Sequence, residues 1–223
     1  MGTNGFHKKP PTTVQYKDRE DWLEGRSKSI GASEVSIILG ESSFKSPLDL
    51  WKEKTGRKIP DDISEDERVS YGTEAEAHLR ALFALKHRRD YKVEYKPFLV
   101  YHHGEKPFMT CTLDGELLRI SDGKRGVWEC KSALIQSKRA LEEWNGRIPN
   151  HYYCQALDQL NITNFDFLVL SAELRFPDNT AEIREYTIEA DEVRGDMAYV
   201  EEEVTKFWRY IESDRQPPVV IRI

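Results

Sequence analysis

The segment Val127-Trp128-Glu129-Cys130-Lys131 constrains this chain more than any other, because it sets two charges into an apolar strand. Period-two alternation puts Glu129 and Lys131 on the same face of that strand. A carboxylate and an ammonium are costly there unless they pair or bind a metal. Asp114-Gly115 lies a short interval upstream. Two carboxylates and one lysine so arranged suit Mg²⁺ beside a water nucleophile, which is phosphodiester-cleaving chemistry. The bare pattern is weak, and Glu94-Tyr95-Lys96 and Asp122-Gly123-Lys124 repeat it. Context separates them: the second falls in a turn, and the first precedes any suitably placed Asp.

Register puts a condition on this reading. A simple hairpin turning at residues 121–126 sets Glu129 across from about Leu118, leaving Asp114 about 13 Å away at the usual rise per residue. That is too far for a shared metal. The site therefore requires a bend or bulge at Asp114-Gly115, which an Asp-Gly pair permits. Given that bend, Asp114, Glu129 and the backbone carbonyl of Cys130 make an open oxygen site for Mg²⁺. Lys131 would orient or deprotonate the attacking water and neutralise charge on the phosphate.

The surrounding pattern is mixed. Asp18 to Glu24 reads as a short helix, and Ser33 as the N-cap of a run through Val35, Ile37, Ile38 and Leu39 that stops at Gly40. Ser46 caps a second helix with Pro47 at its first position, ending near Thr55-Gly56. Pro60 to Arg68 is an acidic connection. Ser70 to Lys86 is a long helix whose apolar stripe has Glu76 on its border, partly buried. Strands are expected over Val93 to Tyr101, Phe108 to Thr112, Glu116 to Ile120 and Val127 to Lys131, as a meander. Helices follow at Ile135 to Trp144 and Pro149 to Leu160, then strands at Phe165 to Ser171 and Ala181 to Ile188. A final helix carries Met197, Val200, Val204, Phe207, Trp208 and Ile211 on one face. This alternation implies an α/β domain whose mixed sheet is covered on both faces.

At 223 residues the chain has room for one such domain. We expect a loose tail over residues 1–15 and a single domain over 16–223. No apolar run approaches the ~20 residues that span a bilayer, and the expectation is a cytoplasmic protein without a membrane partner. Cys111, Cys130 and Cys154 are odd in number and lack close spacing, which points to reduced packing thiols rather than a zinc or iron–sulfur site. The net charge of −6 is unevenly spread: residues 1–131 hold 23 Lys+Arg against 22 Asp+Glu, and residues 132–223 hold 10 against 17. Lys52, Lys54, Arg57 and Lys58, and Lys86, Arg88, Arg89 and Lys92, form basic clusters that suit either a groove or a solvated face.

Several further segments occur together. Arg26, Gly31-Ala32-Ser33-Glu34-Val35, Tyr71-Gly72-Thr73-Glu74-Ala75-Glu76, Cys111-Thr112-Leu113-Asp114-Gly115, Glu129-Cys130-Lys131 and Tyr152-Tyr153-Cys154-Gln155 stand in that order over about residues 20–175. In these the chain resembles the phage-type recombination exonucleases of the lambda exonuclease and YqaJ group, within the PD-(D/E)xK nuclease superfamily. Ile38-Leu39-Gly40 and Ser46-Pro47-Leu48-Asp49-Leu50-Trp51 are similar to the YqaJ branch.

The resemblance implies a restriction-endonuclease-like α/β core with a central mixed sheet flanked by helices. It implies that Glu76 joins Asp114 and Glu129 at the metal, and that Gln155 helps hold the attacking water, with Tyr152 or Tyr153 behind it. It implies that Arg26 and Ser33 bind a terminal 5′-phosphate, with Thr112 and Lys138 as further contributors; Lys138 stands near where the family often has an arginine. A guanidinium fork and a hydroxyl suit phosphate oxygens.

The implied function is a 5′-to-3′ exonuclease on linear double-stranded DNA that depends on Mg²⁺, one or two ions per site, with Mn²⁺ able to substitute. It would release mononucleotides and leave 3′ overhangs for phage-type recombination. The implied partners are further copies in a ring-shaped homotrimer and a single-strand annealing protein, in a bacterial host cell with the gene carried by a phage or prophage. The alternatives are another nuclease on the same core, an endonuclease or a Cas4-like exonuclease, and a non-catalytic DNA-end-binding module.

Overall fold

The computed structural model describes residues 9–62 and 66–219. Among these residues, four helices start where side chains satisfy free backbone N–H groups of the first turn. Asp18 accepts from Glu20 and Asp21 and opens α1 (Arg19–Ser27). Ser46 and Asp49 close a capping box around Pro47 and open α3 (Pro47–Lys54), as the sequence leads one to expect. Asp66 caps α4 (Glu67–Lys86), so this helix begins before Ser70 and takes over the end of the expected acidic connection, whose residues 63–65 lie outside the described ones. Ser33 is not an N-cap. It sits inside a tight turn, Ala32–Glu34, that leads into α2 (Val35–Ile38), and the Glu34 carboxylate closes that turn by accepting the Gly31 N–H at 2.8 Å. Ser137 caps α5 (Lys138–Glu142), which is shorter than expected because Ile135 donates its N–H to the Arg175 carbonyl instead. The last two helices are α6 (Asn150–Thr163) and α7 (Arg194–Glu212), the latter burying Val200, Val204 and Phe207 on the expected face.

The described strands form two sheets. The first has β1 (Thr12–Gln15), β4 (Leu99–His102), β5 (Met109–Cys111) and β2 (Ile30–Gly31) in that order. The second has β3 (Tyr91–Glu94), β6 (Gly115–Arg119), β7 (Arg125–Leu134), β8 (Phe167–Arg175) and β9 (Ala181–Glu189). Two expectations change here. The loose tail does not extend to residue 15, because Thr12–Gln15 pair antiparallel with β4 and satisfy its outer edge. The single strand from Val93 to Tyr101 is two strands in different sheets, broken at Pro97 and at Phe98, which has φ 58°.

β7 and β8 run parallel, joined by a crossover that carries α5 and α6, while the other pairs of the second sheet are antiparallel. The α6 residues Leu157 and Leu160 share one buried cluster with Val127, Leu168 and Leu170 of the second sheet and Ile30 and Met109 of the first. On the opposite face, Phe83 of α4 packs with Leu117, Trp128, Phe167 and Val169. The second sheet is thus mixed and covered on both faces. Its two covering helices, α4 and α6, both reach the strand carrying Glu129 and Lys131.

Candidate active site

Hairpin register decides whether Asp114 can meet Glu129. β6 and β7 pair Gly115 with Trp128 and Leu118 with Arg125. Arg125 and Gly126 belong to the strand, not to the turn, which shifts the register by four residues from the simple hairpin. Asp114 is then one step from the pair Gly115–Trp128, level with Glu129. The expected bend or bulge is therefore unnecessary: β6 begins at Gly115, and the Asp114 Oδ2 continues the ladder by accepting the Cys130 N–H at 2.8 Å.

Glu129 is 2% exposed, and its oxygens are fully engaged. Lys131 Nζ lies 2.6 Å from Oε1, and Gln155 Nε2 donates to the same oxygen at 2.6 Å. Gln159 Nε2 donates to Oε2 at 2.6 Å. Lys131 also donates to Gln155 Oε1 at 3.0 Å and lies 5.1 Å from the centre of the Tyr152 ring. Gln155 and Gln159 are one helical turn apart on α6 and so share a face. Sequence reading missed Gln159, although its spacing from Gln155 was the available signal.

The other covering helix supplies Glu76. Arg80, one turn further along α4, donates through Nη1 to Glu76 Oε1 at 2.7 Å and to the Asp114 carbonyl at 2.8 Å. Its guanidinium rests 3.6 Å from the centre of the Tyr95 ring, which the break between β3 and β4 frees to sit there. Arg80 was also missed, and its signal was the four-residue spacing from Glu76.

Glu76, Asp114, Glu129, Lys131, Gln155 and Gln159 line one cavity of about 760 Å³ with Arg26, Ser33 and Thr112 on its walls. Arg26 Nη2 donates to Ser33 Oγ at 3.0 Å, and its guanidinium packs 4.7 Å from the Trp22 ring centre. A Cβ at Gly31 would stand 3.0 Å from Arg26 Nη2, so the bare backbone of Gly31 lets the guanidinium lie where it does. Burial lowers the Arg26 pKa, with Glu34 opposing. Lys138 does not reach the cavity. It is exposed at the start of α5, because β7 runs on to Leu134 and carries the chain past the site. The sequence decoys resolve as structural contacts: Lys96 pairs with Glu116 and Glu94, and Asp122 accepts from Arg119 and from the Lys124 N–H. Cys111, Cys130 and Cys154 are free thiols.

The electrostatics of the cavity bear on a metal. Burial raises the Asp114 pKa well above the ordinary carboxylate range, and repulsion from Glu129 and Glu76 raises it further; Lys131 and the Cys130 N–H pull the other way. Burial alone would lower the Lys131 pKa, but Glu129 and Asp114 more than offset this and hold the ammonium above its usual value. Among the described residues no three acidic, His or Cys groups form a ready metal cage, since Glu76 leans on Arg80 and Glu129 on Lys131 and two glutamines. The donor chemistry nonetheless fits a hard divalent cation: neighbouring carboxylates whose mutual repulsion such an ion relieves.

Two crystal structures of an alkaline exonuclease from Laribacter hongkongensis, one in complex with dAMP, are similar in fold. They have TM-scores of 0.67 and 0.66 at 19% and 20% identity, and each match covers 88% of this chain and 94% of the other. The uncharacterized protein YqaJ of Bacillus subtilis (strain 168) is 32% identical over 145 residues, 65% of this chain and 42% of that protein. An uncharacterized protein of Acanthamoeba polyphaga mimivirus is 23% identical over 155 residues, 66% of this chain and 27% of that protein. The chain thus spans less than half the length of these relatives. A family model described as a YqaJ-like viral recombinase domain matches residues 21–166, and with the site residues from Arg26 to Gln155 inside that span, the chain belongs to the YqaJ-like viral recombinase domain family.

Proposed function

We propose that this protein is a divalent-metal-dependent exonuclease that resects linear double-stranded DNA from its 5′ ends. The observation that carries this reading is the placement of two chemistries in one cavity: the Asp114, Glu129 and Lys131 group, and the Arg26–Ser33 pair. Glu76, Asp114, Glu129 and the Cys130 carbonyl would hold Mg²⁺ or Mn²⁺, one or two ions. When bound, such an ion supplies Lewis-acid polarisation of a phosphate oxygen and a more acidic water. Lys131 acts as a held cation. Its ammonium is fixed by Glu129 and Gln155 beside the place where charge would build on the phosphate, which suits it to stabilise that charge and orient the water. Gln155 links Glu129 and Lys131, donating to one and accepting from the other.

Arg26 and Ser33 give the cavity its preference for ends. A guanidinium fork and a hydroxyl hold a terminal phosphate, and Thr112 lines the same wall. In this reading residues 16–223 act as one nuclease domain, with β1 extending it to Thr12. The protein works in the cytoplasm of a bacterial host as part of phage-type recombination. Its products are mononucleotides and 3′ overhangs, which pass to a single-strand annealing protein, and the active assembly is a ring-shaped homotrimer around the duplex.

The test is a time course on linear duplex labelled separately at each 5′ and 3′ end, with Mg²⁺ and with chelator. The proposal expects early loss of 5′ labels, late loss of 3′ labels, and no loss in chelator. Degradation in chelator, or 3′ labels leaving first, would overturn it.

A further inference from the structure

Lys54 is the one member of the basic cluster Lys52, Lys54, Arg57 and Lys58 whose ammonium joins the backbone around Arg26. Arg57 pairs with Asp214 at 2.8 Å, and Lys58 with Asp61 at 3.1 Å, both near the surface. Lys54, in the last turn of α3, has a side chain only 8% exposed. Its ammonium donates to the Ser29 carbonyl at 2.7 Å and the Arg26 carbonyl at 3.4 Å, and it lies 2.9 Å from Glu34 Oε2. That same Glu34 oxygen accepts the Gly31 N–H at 2.8 Å. A single charge therefore ties α3 to the end of α1, to β2 and to the turn that carries Ser33.

The charge balance gives this arrangement a consequence beyond stability. Glu34 lies close enough to Arg26 to act on its ionisation. With Lys54 present, Glu34 is already paired, and the Arg26 charge stays available for an incoming anion. Without it, the half-buried Glu34 carboxylate would compete with phosphate for Arg26, and the carbonyls of Ser29 and Arg26 would lose a charged donor.

We infer that Lys54 is a positioning residue for the anion pocket, setting the Arg26–Ser33 geometry and neutralising Glu34 so that Arg26 can take a terminal 5′-phosphate. The inference rests on the function proposed above, and its test keeps the two apart. Initial rates are measured for the full chain on linear duplexes ending in 5′-phosphate or 5′-hydroxyl. In wild type the phosphorylated end is preferred. In Lys54→Met the preference should fall about tenfold or more, equivalent to the loss of one charged hydrogen bond, and the loss should appear in KM for phosphorylated ends rather than in kcat. Adding Glu34→Gln should restore part of the preference by removing the competing charge.

A folded Lys54→Met protein with the wild-type preference would overturn the inference, as would a double variant with no recovery. If Lys54→Met does not fold, Lys54→Gln, which keeps a donor but not the charge, carries the same expectation and the same refutation. If wild type shows no preference between the two ends, the phosphate pocket itself is refuted and this role of Lys54 falls with it. If the preference is present and only Lys54 variants leave it intact, the pocket stands and Lys54 alone is excluded.

Discussion

Lys131 sits where its charge is compensated on every side, by Glu129 at 2.6 Å, by the Gln155 carbonyl oxygen at 3.0 Å and by the Tyr152 ring. Lys131→Ala removes the cation but leaves Glu129 held by Gln155 and Gln159, so the strand and its cavity should persist. We expect cleavage to drop by about 10²–10³-fold, the range for loss of one positioned group that stabilises developing charge. Binding to duplex ends should remain, because Arg26 and Ser33 are untouched. Parallel cleavage and gel-shift measurements check this, and wild-type cleavage by the variant would remove Lys131 from the chemistry. Asp114 teaches a related lesson. Its place beside Glu129 was expected from the sequence, yet its route there was not legible, because two residues assigned to a turn, Arg125 and Gly126, pair with Leu118 and Leu117 instead.

At the scale of elements, β7 and α6 carry most of the site. Gly126 lets β7 lie against β8: a Cβ there would stand 2.4 Å from the Phe167 ring. Gly126→Ala should therefore destabilise the fold by about 1–3 kcal/mol, the usual cost of overpacking, read from denaturant unfolding. In α6, Asp158 is fully buried and neither carboxylate oxygen has a hydrogen-bond partner among the described residues. Burial, with Glu201 adding to it, pushes its pKa up from 3.8 to about 8. Between those values the folded state keeps a proton that the unfolded state has lost, so this group makes stability fall as pH rises from about 4 to about 8 and level off above. Asp158→Asn should flatten that fall, and unfolding curves at about pH 6 and about pH 9 would show it; an unaltered slope would place the ionisation elsewhere. Helix identities were readable where a cap or a periodic apolar face was clear, as in α3 with Ser46 and α7 with its stripe from Met197 to Ile211. They failed at Ser33 and Ile135, where the backbone groups find tertiary or turn partners that no local pattern encodes. Gln159 and Arg80 escaped notice because their meaning depends on which strand their helix faces.

For the whole molecule, the opposing charge balance of the two parts of the chain takes on a spatial meaning. The acidic excess lies in residues 132–223, whereas the cavity gathers Arg19, Arg26, Arg68, Lys96 and Lys131 against Glu76, Asp114 and Glu129. On the function proposed above, the cations of this lining would draw the terminal phosphates of a duplex to the cavity. Of the basic clusters noted in the sequence, Arg57, Lys58 and Lys86 are paired with Asp214, Asp61 and Glu185. No helix among the described residues is long and apolar enough to cross a membrane. The central claim is that cleavage begins only at an end, because the carboxylates proposed to hold the metal and the Arg26–Ser33 pair proposed to hold the phosphate share one cavity. The most direct measurement presents the protein, with Mg²⁺, with one duplex sequence in linear and in covalently closed circular form. The linear form should be degraded and the circle should remain intact through the same time course; nicking or linearisation of the circle at a comparable rate would contradict the claim.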